Sequence, residues 1–118
     1  MESRKELVNH LIEYDRSIEE IMEPLKVYGW DSDEEFVVMK PSHIENVLNR
    51  FLSGELTKNQ VRDWANAVER REDIELDKQF RDTMGEMVFW LANPSINFPI
   101  TEELAKRVIS NLQTNTVR

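Results

Sequence analysis

Apolar residues recur near the start of the chain at Leu7, Leu11, Tyr14, Ile18, Ile21 and Leu25, with Val8, Ile12 and Met22 beside them. Alternating steps of four and three hold such positions on one side of a helix, so the spacing predicts one amphipathic helix with a single apolar stripe. Ser3 and Glu6 supply a capping-box start, in which the hydroxyl and the carboxylate each satisfy an orphan backbone N–H. Pro24 disfavours helical geometry at Glu23, and the helix is expected to end or kink there.

Residues 25–40, LKVYGWDSDEEFVVMK, break the helical pattern. Two short apolar or aromatic runs flank the acidic DSDEE. The segment reads either as a hairpin or as a long loop with one extended piece at 36–39. Gly29 and the length of the connection fit both versions.

Helical spacing returns after Pro41. Ser42 and Glu45 suggest a second capping box, followed by Ile44, Val47, Leu48, Phe51 and Leu52, and Gly54 stands where a left-handed C-cap belongs. Thr57 and Gln60 form a third box ahead of Val61, Trp64, Ala65 and Val68, so two helices joined by a tight turn are expected. A fourth helix follows ERREDIELD over about 77–92, with Phe80, Met84, Met87, Val88 and Leu91 inward despite the helix-weakening Gly85. Asn93 and Pro94 stop it. Thr101 is a candidate N-cap for a last helix carrying Leu104, Ala105, Val108, Ile109 and Leu112, before a polar tail at 113–118.

The chain therefore reads as mainly α, a single-domain bundle of about five helices spanning residues 1–118, with a short hairpin or extended segment near 25–40. At 118 residues it is long enough for one core that needs no disulfide or metal staple. It contains no cysteine, which excludes disulfides, thiolate metal sites and cysteine nucleophiles. No run approaches the ~20 apolar residues of a spanning helix, and the first residues lack the apolar centre of an export signal. A cytoplasmic setting away from the membrane is expected.

Charge changes the picture more than composition does. The net charge is −8. Residues 1–35 carry 11 acids against 4 bases, whereas the rest of the chain is nearly balanced with 12 acids and 11 bases. An acidic third of this kind repels nucleic-acid phosphates and attracts a basic partner at long range. Its bland counterpart is a solvated face that keeps the protein soluble.

The residues for catalysis are thin. His10 and His43 lie on different predicted elements without ligand spacing, and both read as surface residues. Three scattered glycines cannot build a phosphate cradle, and no nucleophile elbow is present. The acidic segment lacks the glycine and closing glutamate of a calcium loop at their offsets. A helix-turn-helix reading of 54–64 fails for want of a basic second helix, because Lys58, Arg62, Arg70 and Arg71 are interleaved with Asp63, Glu69, Glu72 and Asp73. No enzyme, metal or cofactor is expected.

Of the tryptophans, Trp64 and Trp90 sit among apolar residues at helical spacing and read as core. Trp30 sits with Tyr28 beside Asp31, Asp33, Glu34 and Glu35. Aromatic anchors within an acidic rim are what a protein-binding hot spot requires, so these six residues are the candidate partner-binding set. The aromatic pair would equally serve as a plug fixing the loop to the body.

The string VLNRFLSGELTKNQV at 47–61 resembles the short-helix, glycine-turn, threonine-cap pattern of colicin-type bacterial immunity proteins, small acidic helical bundles that neutralise a toxic nuclease. The resemblance spans about 15 of 118 residues. It implies occlusion of a cationic toxin cleft by carboxylates that imitate phosphates. No contact residue carries over, because the string does not reach the acidic cluster. The resulting expectation is a small acidic module that binds a basic protein. The alternative is an assembly protein that forms homo-oligomers through the stripe of its first helix.

Overall fold

The computed structural model of the chain describes residues 3–28, 37–69 and 71–116, with side chains as far as residue 113. The expected first helix is two helices. α1 (Arg4–Glu13) starts at the Ser3–Glu6 capping box and ends where Tyr14 turns left-handed, with φ 50°. α2 (Ile18–Leu25) starts at a second cap, where Ser17 Oγ accepts from the Glu20 N–H at 3.2 Å. Pro24 sits one residue before the end of α2, so the chain does stop being helical there.

The apolar spacing runs unbroken through this bend because both helices face the same core. Leu7, Val8, Leu11 and Ile12 from α1 and Ile21 and Leu25 from α2 are all essentially inaccessible to water. Periodicity reports which side is buried; it does not report that the axis has changed direction.

The open choice at 25–40 resolves in part. β1 (Val37–Met39) is an extended piece, buried at Val37 and Met39 and exposed at Val38. Its partner is not a neighbouring hairpin arm but β2 (Ile74–Leu76), paired in parallel with Val37 opposite Ile74 and Met39 opposite Leu76. A parallel pair needs a crossover. α3 (Pro41–Leu52) and α4 (Lys58–Glu69) supply it.

The turn between α3 and α4 forms as the sequence reads. Gly54 adopts φ +88°, which a side chain would strain. Thr57 and Gln60 cap α4 reciprocally, at 2.8 and 3.1 Å. The start of α3 differs from expectation. Lys40, not Ser42, is the N-cap, Pro41 takes the first helical position, and the Nδ1 of His43 accepts from the Lys40 N–H at 2.9 Å. Glu45 is free of the cap and accepts from Gln113 on the last helix at 3.2 Å.

A single 3-10 turn (Lys78–Phe80) leads into α5 (Arg81–Ala92), and α6 (Glu102–Thr116) closes the molecule. The helical backbone of α6 continues into the segment expected to be a polar tail. α4 packs along α5 and α3 against α6, with α1 over both α3 and α4. Trp64 lies at the centre and donates its indole N–H to the Leu11 carbonyl at 2.7 Å, tying α4 to α1. The Cα radius of gyration is 13.7 Å. A single domain of this length is expected at about 13.5 Å. The protein is mainly α, with six α-helices among the described residues and a small two-stranded sheet.

Candidate protein-binding face

Burying the stripes of α1 and α2 turns their other sides outward. Glu6, Glu13, Asp15, Glu19, Glu20 and Glu23 are the described acids of the first 35 residues, and all six are exposed. Their partners are mostly local. Glu6 serves the Ser3 cap, Glu20 the Ser17 cap, and Asp15 meets His10 Nδ1 at 2.9 Å. Lys26 reaches Glu23 at 3.0 Å. Both members of that pair are well exposed, so water screens most of the attraction. The six carboxylates of this side are therefore presented outward to water, with His10, Lys26 and His43 beside three of them.

Glu13 is held from another element. Because His43 Nδ1 already accepts from a backbone N–H, its Nε2 carries the proton and donates to Glu13 at 3.0 Å. His43 is thus half-buried and pins α1 to the start of α3, which corrects the expectation of an exposed side chain. His10 is half-buried too, lying over the α1–α2 bend.

The bend has its own support. Tyr14 is the non-glycine residue with positive φ among the described residues, a geometry that costs an L side chain roughly 1–2 kcal/mol. Arg50 of α3 offsets it: its guanidinium lies 5.3 Å from the Tyr14 ring centre and donates to the Tyr14 carbonyl at 2.8 Å. A cleft of about 310 Å³ opens beside them, lined among others by Asp15, Glu19, Arg50 and Asp63. Burial raises the pKa of the Tyr14 phenol; Asp63 adds to this, Arg50 opposes it, and Glu19 adds a little more. Tyr14 therefore stays a neutral hydrogen-bonding group at the edge of an acidic surface.

Of the six candidate binding residues, Tyr28 is described. It is half-buried just beyond α2, packed against the core, with its N–H donating to Leu25 at 3.0 Å. Trp30, Asp31, Asp33, Glu34 and Glu35 lie outside the described residues. Trp64 is core as expected. Trp90 is not: it is half-buried in a surface cluster, edge-on to Phe98 at 5.0 Å, with Arg107 at 5.6 Å from each ring.

Sequence reasoning also missed a buried ion cluster. Asp73, in the connection before β2, is fully buried and accepts from Arg71 at 2.8 and 2.9 Å and from Arg4 of α1 at 2.9 Å. Burial alone would raise the pKa of this carboxyl. The hydrogen bonds and positive charge of Arg71 and Arg4 outweigh it and hold the carboxyl below its ordinary value. The only sequence signal was an aspartate just ahead of an apolar strand, too common to single out. The cluster joins α1 to the sheet and serves the fold.

Among the described residues, no three His, Cys, Asp or Glu side chains converge as metal ligands would, and no helix is long and apolar enough to cross a membrane. No family model matches the sequence, and neither a curated protein nor a solved structure matches it. Residues 47–61 form the end of α3, the turn at Gly54 and the start of α4.

Proposed function

We propose that this chain is a protein-binding module that docks a basic partner through the acidic side of α1 and α2, together with Tyr28, Trp30, Asp31, Asp33, Glu34 and Glu35, which follow in the chain. Its most concrete form is an inhibitor of the immunity or antitoxin kind, which covers the cationic cleft of a toxin or nuclease. The observation that carries the reading is the outward display of all six described acids on that side.

Carboxylates spaced along a helix pair resemble a run of phosphates to a cationic cleft. Their long-range attraction raises the rate of encounter more than the intrinsic affinity. The same charges repel nucleic acid itself, which makes a protein the favoured partner. Self-association through the first helix, the other reading of the sequence, would have to draw on apolar residues already spent on the chain's own core.

The test is capture from the host by the immobilised chain at low and at high salt, followed by purification of what is retained. The expected result is a basic protein held at low salt and released at high salt, whose nuclease or toxic activity falls when the chain is added. Retention that ignores salt removes the electrostatic reading. A retained basic partner with undiminished activity removes the inhibitor form.

A further inference from the structure

A second cleft, of about 350 Å³, lies between the start of α4 and the loop that joins α5 to α6. Its charge is the reverse of the α1–α2 side. Lys58 and Arg62 stand one turn apart on α4, so their side chains share a face, and both line the cleft with the Asn59 amide beside them. Pro94, Pro99 and Ile100 line it from the loop side. No carboxylate contributes to the lining, in a chain whose net charge is −8.

We infer that this cleft binds a carboxylate carried on a short apolar body. Three features define the ligand. Lys58 is exposed and makes no ion pair or hydrogen bond with any described residue, so its full charge is available. Arg62 already gives its Nε and one terminal nitrogen to Asp63, at 3.3 and 3.1 Å, which leaves its other donors but only part of its charge. One whole and one partly compensated cation match a monoanion better than a doubly charged phosphate. The two prolines and Ile100 form a wall with little conformational freedom that would take an aliphatic group. The volume sits at the low end of the range for small-ligand sites. A long polyanion would not fit it, and the rest of the molecule would repel one.

The carboxylate can come from a free small acid or from an acidic side chain between apolar residues of a peptide. The experiment is a chemical-shift titration of the isotopically labelled full chain with four probes: 4-methylpentanoate, its neutral amide, the blocked peptide acetyl-Leu-Glu-Leu-amide, and inorganic phosphate. Saturable shifts are expected with the acid at the amides of Lys58, Asn59, Ser95 and Ile100, and binding about tenfold weaker with the neutral amide. K58Q and R62Q should each weaken the acid severalfold and together abolish its effect, with melting temperatures close to that of the unaltered chain. Tighter binding of the peptide than of the free acid assigns the site to a protein partner, and the reverse assigns it to a small molecule. The inference is overturned if the acid gives no saturable shifts, if the neutral amide or phosphate binds as well as the acid, or if K58Q with R62Q binds unchanged.

Discussion

Single side chains account for several of the tightest connections in the molecule, and Asp73 carries the most. It is fully buried between two guanidinium groups, so truncating it removes the interior carboxylate that Arg71 and Arg4 share. D73A should destabilise the fold by about 3–5 kcal/mol, measured by urea unfolding. The carboxyl titrates below its ordinary value of 3.8 in the folded state. Its contribution is therefore complete above that value and disappears as pH falls through the lower folded value. The melting temperature should drop on the acid side of about pH 4, and the drop should be shallower in D73A. An acid limb of equal steepness in both proteins would mean that other carboxylates govern it.

Elements show where the pattern of the chain was informative and where it was not. The caps at Ser3, Thr57 and Thr101, the turn at Gly54 and the stop after Ala92 are local chemistry, and each could be read from a few adjacent residues. The α1–α2 bend was hidden because the apolar spacing crosses it unbroken, although Ser17 and Glu20 had the right spacing for a new start. S17A should cost about 1 kcal/mol by removing the acceptor for the Glu20 N–H, a loss that one continuous helix would not show. The parallel pairing of β1 with β2 joins residues 37 apart, which no local signal announces. Gly85, although helical, has room: an added Cβ would meet Leu76 Cδ1 at 3.8 Å, an ordinary contact. G85A should therefore raise stability by about 0.5–1 kcal/mol in the same unfolding assay. A loss would show that β2 needs the closer approach.

At the scale of the whole molecule, charge separates into two regions. One side, α1 and α2, displays six exposed acids, and the cleft beside α4 gathers two cations without a carboxylate in its lining. The acidic asymmetry was legible from the sequence because charged side chains on an amphipathic helix must face away from its buried stripe. The basic cleft was not, since it is assembled from α4 and from a loop more than 30 residues later in the chain. Of the six candidate binding residues, Tyr28 lies among the described residues and is half-buried against the core.

The central claim is that acidic steering brings a basic partner to this chain. Stopped-flow association of the purified partner, measured at stepped salt concentrations for the unaltered chain and for D31N/D33N/E34Q/E35Q, tests it most directly. The account predicts a rate that falls steeply with salt for the unaltered chain, and a slower rate with a flatter salt dependence for the variant. Equal rates and equal slopes for the two proteins would contradict it.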